Sequence, residues 1–495
     1  MRTCLPAATI LIINVSYNNQ KMKKIVQPEI FLSLIIFVIL LLIAFNTNTT
    51  GDAGDSVTHY LYSHYSLKYP HFFLHHWAKP VFVLFTTPFA QFGFKGIILF
   101  NCICATLTAL FTFYTTRTLK IKNSWLVFVI ILFAPLYFKL IFSGLTEYLF
   151  GLFLIIGIYM ISKSKDTSAI IIISFLPLIR TEGLLIIGIF GLYCLINKKY
   201  KLLPYILTGQ LIYTIIGAFY YKDFLWVINK IPYANLGSPY GSGELLDFVH
   251  RLNYVIEKPI YLLLAIGSIS LFYSLIRNGL NKNNNIKLVL IFGSFLILFL
   301  AHTIFWWLGI FNSMGLPRVL ISIVPLIAII SLIGLQTITD RIQNLILKYS
   351  LLAGITLLIC FYPFTHRPEG VVFEYKMFVL EENRLIDEEI VPFLEKKFSD
   401  YSAYTIYFSH PYLSLALNVD YFDSQQHREI QYLQTDKIDN KTLIIWDEWY
   451  SVMEGGTTLE QLTSDKRFEL IQIFQTKEKD RMIQYAIFKT TANKK

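Results

Sequence analysis

GDAGDSVTHYLYSHYSLKYPHFFLHHWAKP, residues 51–80, decides how this chain is read. Two carboxylates, Asp52 and Asp55, lie within ten residues of the end of a long apolar run, and the segment ends with Lys79 before Pro80. Between them lie five histidines (His59, His64, His71, His75, His76), four tyrosines (Tyr60, Tyr62, Tyr65, Tyr69), Trp77 and Lys68. The flanking sequence is apolar enough to enter a bilayer. Ionisable groups at a bilayer edge are costly, so such a cluster points to function.

The 495 residues are 55% hydrophobic, with a mean hydropathy of +0.52. That is the composition of a polytopic membrane protein. Residues 364–495 hold 16 basic and 22 acidic side chains, a net of −6, whereas residues 1–363 hold 27 and 11, a net of +16. The overall charge of +10 thus arises from Lys and Arg beside apolar runs and does not signal nucleic-acid binding. The cysteines (Cys4, Cys102, Cys104, Cys194, Cys360) form no disulfide framework or zinc pattern. Residues 1–21 read as an extension, with Met22 as the natural start.

Apolar runs long enough to span lie near 28–45, 97–116, 124–141, 146–162, 203–221, 259–277, 287–305, 318–336 and 349–363. Two shorter runs, 168–179 and 183–196, meet at Arg180-Thr-Glu182, giving about eleven crossings. Alternate connections carry the basic clusters: Lys21, Lys23 and Lys24; Arg117, Lys120 and Lys122; Lys163 and Lys165; Lys198, Lys199 and Lys201; Arg277, Lys282 and Lys287; Arg341 and Lys348. The positive-inside rule puts these in the cytoplasm. The parity holds only if 81–93 lies in the interface rather than crossing. The first loop (47–96), the 222–258 loop and residues 364–495 then face outside. Within 364–495, strand-like runs at 405–408, 442–446, 468–474 and 482–489 alternate with a helical stretch at 384–397. The expected fold is therefore mainly α: a polytopic helix bundle (22–363) with interfacial helices in its first outer loop and an extracytoplasmic α/β domain (364–495).

Asp52 and Asp55 can act as general bases or as helix and turn caps. The histidines lack the i, i+4 pair with a helper Glu that marks a zinc helix, so no metal ligands are assigned. Tyr60, Tyr62, Tyr65, Tyr69 and Trp77 suit an aromatic belt or sugar stacking. Lys79 suits a phosphate contact or a snorkelling lysine. Glu147, Arg180, Glu182 and Arg318 lie at outer helix ends, and Lys139 lies one turn inside its helix. They are candidate substrate contacts or mutual ion pairs. The loop 231–247, with Tyr240, reads as a lid or a surface loop. Its Gly241-Ser-Gly243 lacks the strand and the GK[ST] element of a phosphate-binding loop.

Taken together, GDAGDSVTHY, HHWAKP, VFVLFTTPFAQFG and FKGIILFNCICATLTAL resemble the first outer loop and second helix of GT-C glycosyltransferases. That class includes protein O-mannosyltransferases and bacterial aminoarabinose transferases. TEYLF, IRTEG and GLPRVL fit looser positions. The likeness covers 28–340 in layout and is specific in 51–117. It implies transfer of a sugar, with inversion, from a polyprenyl-phosphate carrier to a hydroxyl of a lipid, glycan or protein. It implies Asp55 as base, from the Asp-x-x-x-His/Tyr position, Lys79 on the donor phosphate, and Arg318 as a second phosphate contact. Many members have an Asp-Glu pair where this chain has Asp55-Ser56, with Asp52 upstream. Which Asp is the base, and whether a divalent metal takes part, therefore stay open.

His59, Trp77, Arg180, Glu147, Glu182 and Tyr240 complete the expected substrate-binding set. No cofactor is required by this reading, and its partners are the lipid-linked donor and membrane lipids. A lipid-linked glycan ligase or polymerase, and a non-catalytic transporter or flippase, are the competing classes. No inverted internal repeat supports the transporter. The Ile, Lys and Asn content suits an AT-rich bacterium, hence an inner membrane with the site facing the periplasm.

Overall fold

The computed structural model describes residues 27–232, 237–281, 284–367, 370–398, 400–478 and 481–491. The expected extension, 1–21, lies outside the described residues. Each of the eleven apolar runs is helical over most of its length. Among the described residues, seven helices have the length and apolarity to cross a membrane: Pro28–Asn46, Phe94–Thr118, Tyr200–Tyr221, Asp247–Asn278, Ile286–Leu308, Pro317–Thr339 and Leu345–Phe364. Shorter apolar helices are Pro80–Ala90, Glu147–Ser162, Asp166–Leu178 and Gly183–Ile196.

Two prolines reshape the expected spans. The 124–141 run is split into Leu126–Leu132 and Pro135–Leu140, with Ala134 extended between them. Pro135 lacks the amide a continuous helix needs, and its ring disfavours helical geometry at the residue before it. Asp247–Asn278 starts well before the expected 259 and bends at Glu257 (φ 61°, ψ 164°), two residues ahead of Pro259. The last third of the expected outer loop, 247–258, therefore belongs to this helix.

The bundle is held by close helix approach as well as by apolar packing. A Cβ on Gly267 would lie 1.9 Å from the Ile330 carbonyl oxygen, and one on Gly334 would lie 2.2 Å from that of Leu263. Small residues are what let membrane helices approach this closely, since lipid and side chain are equally apolar.

The first loop folds into a helix at Asp55–Tyr65, a short turn at Pro70–Leu74 and a helix at Pro80–Ala90. The chain ends in a mixed sheet of β1 (Thr405–Tyr407), β2 (His427–Arg428), β3 (Thr442–Asp447), β4 (Phe468–Glu478) and β5 (Arg481–Thr490). Their order is β2-β1-β3-β5-β4, parallel on the β1 side and antiparallel from β3 to β4. Alternation sorts its side chains: Leu443 and Ile445 join Ile386, Ile390 and Leu394 in one core, and Ile444 and Trp446 join Leu433 and Leu462 in another. The apolar run of β3 is thus buried on both faces, as its composition requires.

This C-terminal segment rests on the first loop. Asn383 Nδ2 donates to Thr50 Oγ1 at 2.9 Å, Lys68 pairs with Asp420 at 2.7 Å, and Phe422 packs within 4.7 Å of Tyr62 and 4.4 Å of Phe72. Tyr62, expected as part of an aromatic belt, instead packs against protein.

The Gly267 crossing is testable. Gly267→Ala should lower the apparent melting temperature in detergent by several degrees, since overpacking typically costs about 1–3 kcal/mol. Gly354→Ala, where a Cβ meets nothing within 4 Å, should not lower it. Scanning fluorimetry of the two variants checks this.

Candidate active site

Asp52 caps its own turn. Its Oδ1 accepts the Gly54 amide at 2.9 Å and the Ser56 amide at 3.4 Å, so the helix begins at Asp55. Of the two caps the sequence allows, the turn cap by Asp52 is present, whereas Asp55 is itself the first helical residue and caps no helix starting at Ser56. Ser56 then fixes the helix start to the bundle: its Oγ donates to the Thr50 carbonyl at 2.5 Å and accepts the Gly144 amide at 2.7 Å. Asn101 holds the other side of this contact, donating to the Ser143 and Leu145 carbonyls at 2.7 and 3.1 Å.

Arg318 joins the two acids. One guanidinium nitrogen lies 2.6 Å from Asp52 Oδ2 and another binds Asp55 Oδ2. The Asp55 side chain remains 46% exposed, against 28% for Asp52 and 12% for Arg318. Burial works to raise the Asp55 pKa, but the charge of Arg318 and its hydrogen bond hold it below the usual aspartate value.

A second arginine repeats the arrangement. Arg180 binds Glu147 at 2.8 Å, Glu182 at 2.9 Å and the Thr146 hydroxyl at 3.0 Å. Glu147 is almost wholly buried, and Glu182 lies 3.7 Å from His302 Nε2. The sequence-expected pairing among these residues is present. His302 is missed by sequence reasoning, although a lone histidine in an apolar run is the kind of signal that marks such a site.

Lys79 completes this side. It is buried, its Nζ donates to Thr181 Oγ1 at 3.2 Å, and its backbone is left-handed (φ 67°) ahead of the helix-opening Pro80. A non-glycine residue held there costs of order 1–3 kcal/mol and persists only where the surroundings fix it. Burial foremost, opposed by Glu182 and aided by Arg180, brings its pKa down to about 8. Asp55 and Lys79, from opposite ends of the first loop, interact electrostatically. Lys139, by contrast, is half-buried on the Pro135–Leu140 helix.

The histidines do not gather. His59 stacks on Trp77 at 5.0 Å, His75 on Tyr62 at 4.8 Å, and His64 Nδ1 meets the Ala90 carbonyl at 3.0 Å. Among the described residues, no group of three or more His, Cys, Asp or Glu is placed to hold a metal ion.

The C-terminal sheet contributes residues that sequence alone does not connect to the site. Asp447, ending β3, accepts the amides of Trp449 and Tyr450 at 3.0 and 2.5 Å and turns them toward the bundle. Tyr450 packs on Gly54, where a Cβ would lie 2.3 Å from its hydroxyl. Tyr240 lies parallel to Trp449 at 6.5 Å and interacts electrostatically with Glu454. Burial, then the charge of Asp55, raises the Glu454 pKa to about 7.

The bundle, the first-loop helices and the terminal sheet together share their fold with a solved membrane-protein structure. The likeness is to ArnT from Cupriavidus metallidurans, solved bound to undecaprenyl phosphate: TM-score 0.58, 10% identity, 92% of this chain and 97% of that one. The apo oligosaccharyltransferase of Archaeoglobus fulgidus matches with TM-score 0.47, 12% identity, 89% of this chain and 73% of that one. No protein-family profile and no curated protein sequence matches the chain.

Removing one partner of a buried ion pair costs about 3–5 kcal/mol, because it leaves an uncompensated charge. Arg180→Ala strands Glu147, so it should lower the apparent melting temperature more than Arg180→Gln combined with Glu147→Gln. Thermal unfolding of both variants in the same detergent tests the pair.

Proposed function

We propose that this protein is an inverting glycosyltransferase that takes a sugar from a polyprenyl-phosphate carrier and places it on an acceptor hydroxyl at the outer face of the membrane. The observation that carries this reading is the opposition of an arginine-poised carboxylate, Asp55, to a buried cation, Lys79, within one loop. Asp55 is the better base candidate because Asp52 spends one carboxylate oxygen on backbone amides and the other on Arg318. A likeness to a fold solved with undecaprenyl phosphate supports the carrier class.

In this mechanism the acceptor O–H proton passes to Asp55. The freed oxygen attacks the anomeric carbon from the side opposite the phosphate. The bond from that carbon to the phosphate oxygen breaks, and the carrier leaves as an anion. Lys79 stabilises that anion, and no proton is needed by the leaving group. Arg180 and Arg318 add positive potential while committed to carboxylates. The site, the first loop and the C-terminal sheet face the periplasm in this account, with residues 22–363 as the catalytic unit and 364–495 as its cover.

Asp55→Asn should reduce sugar transfer in membrane vesicles by at least about a hundredfold, the lower range for a general base, while Asp52→Asn retains more activity. Near-normal transfer by Asp55→Asn would sink the assignment. The pH dependence of donor binding follows from Lys79. Its pKa is depressed to about 8, so it is charged below that pH and loses its proton above it. The Kd for undecaprenyl phosphate should weaken as pH rises past 8, and Lys79→Arg should flatten that limb. A wild-type affinity constant from pH 7 to 9.5 would contradict the role of Lys79.

A further inference from the structure

The site contains a buried nitrogen without a partner. His59 Nδ1 is shielded from solvent and makes no hydrogen bond among the described residues, and the residue as a whole is 6% exposed. Burying a hydrogen-bonding group unpaired is unfavourable, and such groups call for a reason.

Two aromatic rings flank the imidazole. Trp77 stacks on it at 5.0 Å and 25°, and Phe82 meets it edge-on at 5.4 Å. Asp55 lies one helical turn earlier, on the same face of the Asp55–Tyr65 helix. Lys79 lies two residues beyond Trp77. Burial is the main reason the imidazole stays neutral, its pKa brought down to about 3, with Lys79, Arg180 and Arg318 adding to the effect against Asp55. The ring therefore lies within electrostatic reach of both the acid and the cations.

In the proposed reaction, Asp55 meets the acceptor oxygen and Lys79 meets the phosphate. The sugar ring must occupy the space between them. Resting on that reading, we infer that His59 reads the transferred sugar: its imidazole hydrogen-bonds a sugar hydroxyl, and Trp77 and Phe82 fix its angle. Trp77 is thereby a positioning residue, acting through His59.

The test uses full-length protein in nanodiscs. It is titrated with bare undecaprenyl phosphate and with undecaprenyl phosphates bearing glucose, galactose, mannose, N-acetylglucosamine or 4-aminoarabinose. Wild type should bind at least one sugar-bearing carrier more tightly than the bare one. H59F keeps an aromatic ring against Trp77 but has no ring nitrogen. It should weaken that carrier roughly three- to tenfold, the range for one hydrogen bond, and leave bare undecaprenyl phosphate within about twofold. H59N, whose amide falls near the Nδ1 position, should recover part of the loss. Equal loss for both carriers, no loss for either, or a wild type blind to every sugar overturns the inference. A wild type that binds no carrier at all overturns the proposed function with it, and only that result does so.

Discussion

Two buried guanidinium groups hold the polar end of this protein together: Arg318 between Asp52 and Asp55, and Arg180 between Glu147 and Glu182. Charges removed from water are tolerated only when paired and hydrogen-bonded. Each arginine therefore obliges distant segments to meet. Arg318 draws the first loop to the head of the Pro317–Thr339 helix. Arg180 draws the apex between two short helices to the start of Glu147–Ser162. Apolar packing alone discriminates weakly among helices in lipid, so these pairs, with the glycine crossings, set which helix ends converge. The same pairs keep Asp55 charged beside an apolar bundle.

The terminal sheet meets this convergence with a particular edge. β1 has parallel neighbours on both sides, and the chain leaving the carboxyl ends of β1 and β3 carries His410, Trp449 and Tyr450. In open α/β sheets that edge is where binding groups collect. Here it faces the first loop, with Tyr450 on Gly54 and Glu454 within the field of Asp55. The cation-rich side, with Lys79 and Arg180, belongs to the loop and the bundle. The carboxylate-rich and aromatic side is shared with the sheet.

Much of this was legible in the residues. Apolar run length located every helix long and apolar enough to span, and the strand-like runs located four of the five strands. β2, only two residues long, carries no periodicity to read. Ionisable groups at helix ends marked Glu147, Arg180, Glu182 and Arg318, because such groups are rare in apolar sequence. What local pattern does not carry is contact between segments far apart in the chain. Nothing near Tyr450 or Glu454 distinguishes them from other residues of a soluble sheet, and only the packing of 449–454 over 54–55 brings them to the acids. That Asp55 is the first residue of the helix and not its cap was equally hidden, since only the backbone shows where the helix starts. The break at Pro135 was hidden too, because the apolar run continues across it.

The central claim is that Lys79, Arg180 and Asp55 enclose one reaction centre in which the cations face a lipid phosphate. Electron cryo-microscopy of the full-length protein in nanodiscs loaded with undecaprenyl phosphate tests it most directly. The account predicts phosphate density within hydrogen-bond distance of Lys79 Nζ, with the prenyl chain leaving toward lipid and Asp55 open to the opposite side. Phosphate density bound elsewhere on the protein, with Lys79 still turned to Thr181, would contradict it.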